Sequence, residues 1–210
     1  MPTRGELSTE IQNDLGGRTD NALKTVVDDA INRAIEHYEQ ERYSFNVGSV
    51  TLDSVVNQTE YTLPTTVLNI QFVQFRSQGD LDLLQQWPFE RYLQEINDDT
   101  NLVGEPKYFA VFGRQFFVYP APNEVAPFTF YSVLRLANVP FTDDAQTNAW
   151  TNEALGLIRA RVKWDIYMNR IKNASLAEAN AADITWYSRK LKADVSRLET
   201  TGQIYAPSPF

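Results

Sequence analysis

Gly104-Glu105-Pro106-Lys107-Tyr108-Phe109-Ala110-Val111-Phe112-Gly113-Arg114-Gln115-Phe116-Phe117-Val118-Tyr119-Pro120-Ala121-Pro122 is the stretch that decides the fold of this chain. Its middle reads as two short aromatic strands, Lys107–Phe112 and Gln115–Tyr119, joined by a tight turn at Gly113-Arg114. Pro106 has no N–H to give a ladder and biases Glu105 towards extended backbone, which suits the entry to an edge strand. Pro120 and Pro122 end the second strand for the same reason. A lone hairpin is marginal in water. This one carries Tyr108, Phe109, Phe112, Phe116, Phe117 and Tyr119, so it requires other surfaces to cover it.

Outward from the hairpin the apolar residues recur at a spacing of two. Val47–Leu52, Glu60–Leu63, Leu68–Phe75 and Phe128–Leu134 read as further strands between Asn, Gly, Pro and Asp punctuation. One helix interrupts them, Trp87 to Ile96, with Pro88 in its first turn and Phe89, Leu93 and Ile96 on one face. At least five closely spaced strands indicate an antiparallel sandwich or a small barrel.

Both flanks are helical. Residues 1–18 form a short helix with Leu7, Ile11 and Leu15 on one stripe, capped at Ser8 or earlier and stopped by Gly16-Gly17. Thr19 or Asp20 caps a longer helix to about Tyr43, with Ala30, Ile31, Ala34, Ile35 and Tyr38 on its apolar side. Asn148-Ala149-Trp150 returns the chain to helix as far as about Lys172. That helix has two apolar stripes: Leu155, Ile158, Val162 and Ile166, then Leu157, Ala160, Trp164, Tyr167 and Ile171. A helix apolar on two sides is covered on two sides, one by the N-terminal helices and the other by the sheet or a neighbouring subunit. Leu157, Trp164, Tyr167 and Ile171 are the candidate subunit-interface residues. Ser175-Leu176-Ala177-Glu178 reads as a capping box opening a last helix to about Leu198, striped by Ile184, Tyr187, Leu191, Val195 and Leu198. Pro207 and Pro209 then favour an extended arm with Ile204, Tyr205 and Phe210 as hooks.

The expected fold is therefore α+β, a helical bundle from the two ends bracketing a β-sandwich or small-barrel insertion. Its parts are residues 1–44 and 148–199 for the helices, 45–147 for the insertion and 200–210 for the arm.

Composition narrows the function by exclusion. The chain is 43% hydrophobic and 22% charged, a globular balance. No apolar run approaches the length of a membrane span, and the N-terminus is polar, so neither a span nor a signal peptide is expected. With no cysteine, disulfides and thiolate sites are out. Net charge is −8, unevenly spread: residues 1–158 hold 10 Lys+Arg against 22 Asp+Glu, and residues 159–210 hold 9 against 5. An acidic majority opposes a grip on a phosphate backbone. The basic end fits either a second partner or a solvated helix face.

His37 is the only histidine and sits mid-helix, with no nucleophile elbow around any serine, so it reads as a structural, half-exposed residue. Asp80-Leu81-Asp82, Asp98-Asp99 and Asp143-Asp144 lack the spacing of a calcium loop. No Walker A or dinucleotide fingerprint occurs. The strand aromatics lack the interleaved cations that base stacking uses, having only Lys107 and Arg114. No catalytic residue, metal site or cofactor is expected.

Four segments in order carry a resemblance: Glu60-Tyr61-Thr62-Leu63-Pro64, Gly104 to Val111, Phe117-Val118-Tyr119-Pro120-Ala121-Pro122, and Asn148-Ala149-Trp150. Together they resemble the head-to-tail adaptor proteins of tailed bacteriophages, particularly the packaged-DNA-stabilising tail accessory adaptors of short-tailed phages. The resemblance implies a structural virion protein of the neck, made in the bacterial host cytoplasm. It implies a homo-oligomeric ring, usually of twelve copies, that docks on the portal protein and extends the DNA channel. It also implies that the ring receives a tail or nozzle protein, and that packaged double-stranded DNA passes through without sequence-specific binding. The extended arm, Ile204, Tyr205, Pro207, Pro209 and Phe210, would anchor on the portal. The alternatives weighed are another neck or tail-completion protein, a virion-associated cell-wall hydrolase and a DNA-binding module.

Overall fold

The structure is a computed structural model and describes residues 1–17, 20–77, 80–98 and 102–200. It divides into two compact units: a helical unit, Met1–Asn46 with Arg135–Phe210, and a β unit, Val47–Leu134. The mixed α+β expectation holds, with the β-rich part inserted between helices.

The β unit contains β1 (Val47–Asp53), β2 (Glu60–Thr62), β3 (Val67–Ser77), β4 (Asp80–Gln86), α1 (Phe89–Asp98), β5 (Val103–Gly104), β6 (Tyr108–Phe112), β7 (Gln115–Tyr119), β8 (Ala121–Pro122) and β9 (Pro127–Leu134). Seven strands form one sheet in the order β1-β9-β3-β4-β6-β7-β2, and β5 pairs β8 separately. All neighbours in the large sheet are antiparallel except β4 and β6. The sheet is curled. Four strand steps separate β7 from β9, about 19 Å if flat, yet Phe116 and Phe130 have ring centroids 4.8 Å apart. Tyr61 on β2 likewise meets Phe128 on β9 at 5.4 Å. The result is a half-barrel, neither a two-sheet sandwich nor a closed barrel, because a single inner face of Tyr61, Phe75, Phe109, Phe116, Phe128 and Phe130 curls on itself as the core.

The hairpin forms as expected, with Gly113 at φ +61° supplying the left-handed position of its two-residue turn. Its alternation splits the aromatics. Phe109, Phe116 and Val118 enter the core. On the other face α1 is the cover: Phe89 lies 4.7 Å from Phe112 and 5.0 Å from Phe117, and Trp87 stacks on Tyr108 at 3.8 Å. Three expectations are corrected here and one strand is added. β6 is interior, and Pro106 costs no ladder bond because it stands before the strand. Pro122 does not end β7 but belongs to β8. Asp80-Leu81-Asp82 opens β4, a strand the sequence reading did not include, with Leu81 opposite Arg76 and Leu83 opposite Gln74 on β3. Tyr92, not Leu93, is the buried residue of α1, because Phe117 reaches it at 5.2 Å.

The helical unit contains α2 (Arg4–Asp14), α3 (Asn21–Tyr38), α4 (Ala149–Asn152), α5 (Leu155–Ile166), a π-helical turn (Tyr167–Ile171) and α6 (Ala174–Thr200). Thr3 caps α2 in a reciprocal capping box with Glu6, and Asp20 caps α3 by accepting from the Leu23 N–H at 2.8 Å. The core joins Leu7 and Ile11 of α2, Ile31 and Ile35 of α3, Trp150 of α4 and Leu157, Ile158 and Val162 of α5. Tyr43 and Phe45 both pack against Trp150, at 5.6 and 5.0 Å.

Here too the sequence reading needs amendment. α3 stops at Tyr38, short of Tyr43. The Asn46 side chain takes over the backbone there, accepting from the Tyr43 N–H at 2.7 Å and donating to the Glu41 carbonyl at 2.8 Å. Residues 135–147 group with the helices and not with the β insertion. Phe141 is buried in the helical core, and Asn32 both donates to its carbonyl and accepts from its N–H. The cap of α6 is Asn173, which accepts from the Leu176 N–H at 3.2 Å, so the Ser175 capping box does not form. Of the expected arm, 200–210, Thr200 is the last residue of α6 and residues 201–210 lie outside the described residues.

Candidate functional site

The sequence offered chemistry at three kinds of place, and the structure separates them. His37 is exposed and meets Tyr38 edge-on at 4.8 Å. Asp143 accepts from the Ala145 N–H, while Asp144 accepts from Arg4 at 3.0 Å and Lys24 at 2.9 Å. Asp82 lies on β4; Asp99 and the Asp98 side chain are outside the described residues. Among the described residues no cluster of His, Asp and Glu has the makings of a metal site. Among the described residues no helix is long and apolar enough to cross a membrane.

What the geometry does assemble is the α5–α6 hairpin. The two helices approach so closely that a Cβ on Gly156 would stand 2.3 Å from the Tyr187 ring. Ile184, Tyr187 and Leu191 close over the core from α6, as their spacing predicts, and Val195 is buried. Leu198's side chain is not described. Both apolar stripes of α5 are thus occupied within the unit, by α2 and α3 on one side and α6 on the other. Leu157 is fully buried in the core and offers no surface to a neighbour. Trp164 and Tyr167 are half-buried, with the Arg161 guanidinium 4.6 Å over the Trp164 ring. Ile171 is 50% exposed.

Three exposed residues that the stripes did not single out join Ile171 on this hairpin. Met168 and Leu176 flank the turn between α5 and α6, and Trp186 is 58% exposed beside Tyr187. Lys190 lies over the Trp186 ring at 5.5 Å. The available signal for Trp186 was its position off the Ile184–Tyr187–Leu191 stripe, where a tryptophan has no core to enter. The backbone explains the tip. The helix closes in a π-helical turn that stops at Lys172 with φ +57°, so Met168 and Ile171 lie beyond Ile166, the last residue of the buried line Ile158, Val162 and Ile166.

Charge fixes the hairpin to its neighbours. Arg159 pairs with Asp14 at 2.8 Å and Glu10 at 3.3 Å, and Lys163 joins Asp14 at 3.1 Å. Burial raises the Asp14 carboxyl, but the hydrogen bonds from Arg159 and Lys163 outweigh it and hold the group below the usual carboxylate range. Asp165, bonded by Arg33 at 2.8 Å, is lowered against burial in the same way. So is Glu41, which takes Lys192 of α6 at 2.8 Å and the Tyr43 hydroxyl at 2.9 Å. Arg135 forms a two-pronged pair with the buried Glu39, at 2.6 and 3.1 Å.

A surface with apolar residues at its tip, fixed by ion pairs at its base and carrying no reactive cluster, is equipped for association. A family model described as SU10 adaptor protein matches residues 2–207. No curated protein matches the chain. The order of segments that resembled phage adaptors in the sequence is thus matched over nearly the whole length, and the chain belongs to the SU10 adaptor protein family, the structural phage adaptors that associate with other head and tail proteins.

Proposed function

We propose that this adaptor assembles into a ring, of twelve copies, that docks on the portal protein at the neck of the virion. The ring extends the DNA channel, helps retain packaged double-stranded DNA and receives the tail or nozzle protein. It works by shape and self-association, with no bond-making step. The observation that carries this reading is the exposed apolar set on the α5–α6 hairpin: Met168, Ile171, Leu176 and Trp186. In a unit whose other helices bury their stripes, such residues are the expected anchors of a protein interface. The tail segment with Ile204, Tyr205, Pro207, Pro209 and Phe210 serves as the portal anchor in this reading. Two further facts support it. The chain's net charge of −8 lets DNA slide past without sticking, and the family is one of structural adaptors.

The test is sedimentation and cryo-electron microscopy of the purified chain with and without isolated portal rings. Closed rings bound coaxially to the portal are expected. A chain that stays monomeric beside the portal overturns the reading, as does peptidoglycan turnover abolished by one Asp or Glu change. Removing residues 200–210 is expected to leave the chain folded and the portal unbound.

A further inference from the structure

Three strand edges of the half-barrel are protected to different degrees. β2 is three residues long, and the Arg114 guanidinium donates to the carbonyls of Leu63, Pro64 and Val67 just past its end. β1 is longer, but its exposed positions are Ser49, Thr51 and Asp53, the polar residues that discourage pairing. The third edge is inside the sheet order. β4 pairs with β3 from Asp80 to Leu84, whereas β6 reaches β4 only at Gln85 and Gln86. Among the described residues no strand is registered against Leu81–Leu84 on that side.

The direction of the free groups follows from the ladder. Gln85 and Trp87 donate their N–H groups to Lys107 and Phe109, on the β6 side. Backbone polar groups alternate along a strand, so Leu81 and Leu83 aim their N–H and C=O the same way, where β6 is absent. Their side chains share one sheet face and are 39% and 64% exposed. No Lys, Pro or bulge guards the segment. An open edge with two exposed leucines is the arrangement that accepts an added strand.

We infer that the Leu81–Leu83 edge of β4 is a β-augmentation site for an extended partner segment with apolar residues at alternate positions and Lys or Arg between them. Charge selects that occupant. The β unit holds 10 Asp+Glu against 4 Lys+Arg, and the exposed Asp82 stands between the two leucines. A second copy of β4, paired antiparallel with Leu81 against Leu83, sets Asp82 opposite Asp82 and repels itself. This inference goes beyond ring assembly, and its test uses the isolated chain.

The probe is a synthetic nonapeptide alternating Val and Lys, compared with its Val and Glu counterpart. The readout is amide hydrogen exchange at Leu81 and Leu83 in the full chain. The Lys peptide is expected to slow both amides about tenfold and the Glu peptide to leave them unchanged. Asp82→Lys is expected to reverse that preference, and Leu83→Pro to abolish protection at Leu81, the amide of the pair that this variant keeps; both positions are exposed, and an unchanged melting temperature verifies the fold. Equal protection by the two peptides, protection that survives Leu83→Pro, or none at millimolar peptide overturns the assignment.

Discussion

The two units of this adaptor are held together by different physics. The helical unit is an aliphatic and aromatic core whose helices are tied by charge: Arg159 to Asp14, Arg33 to Asp165, Lys192 to Glu41, Arg135 to Glu39. Its formal charges nearly cancel, 17 Asp+Glu against 15 Lys+Arg. The β unit relies on rings meeting across a concave sheet, Phe116 with Phe128 at 5.3 Å and Phe130 at 4.8 Å. The ion pair described there, Arg91 with Glu95, is long at 3.9 Å. The lesson is a division of labour. Where cations and carboxylates are matched they position helices; where carboxylates are in excess, 10 against 4 in the β unit, the unit presents a net negative charge to whatever it meets.

The sharpest way to break this comparison is in the rings. Phe116→Ala empties the centre of the half-barrel and is expected to cost about 3–5 kcal/mol, read by denaturant unfolding, with the amides of residues 47–134 losing most protection. Next comes the helical seam. Gly156→Ala forces Tyr187 aside and is expected to cost about 1–3 kcal/mol, seen as lost protection in α5 and α6 alone. A third measurement separates the units by pH. Asp14, Asp165 and Glu41 have lowered folded values, so their stabilisation is complete above the ordinary carboxylate range, about pH 4, and is lost as pH falls through those values. Exchange resolved by unit is expected to show the helical unit loosening first on acidification; simultaneous loosening would contradict the division. The smallest effect on stability is expected from Trp186→Ala, within about 0.5 kcal/mol, although sedimentation should shift towards smaller species.

Much of the fold was legible because its signals are local. Gly113-Arg114 announces a turn whatever surrounds it, and the Asp20 and Asn148 caps need only their own neighbours. The strand β4 was obscured because Asp80 and Asp82 look like loop residues and its register sets Leu81 and Leu83 against Arg76 and Gln74, leaving only Leu84 against Val73 as an apolar pair. The end of α3 depended on Asn46, a side chain eight residues beyond Tyr38 that competes for backbone groups. Of the residues proposed for association, Ile171 is half exposed, whereas Leu157 is fully buried in the helical core. Periodicity reports that a residue is apolar towards one side; it does not report which neighbour gets there first.

The pairing of Val47 with Val133 has a consequence for engineering. The insertion enters and leaves through adjacent strands, so Cα atoms about 5 Å apart mark both ends of the excursion. A cassette with such ends can be lifted out and its stumps rejoined by a few glycines and serines, or another adaptor's insert transplanted between them, without stretching the host helices.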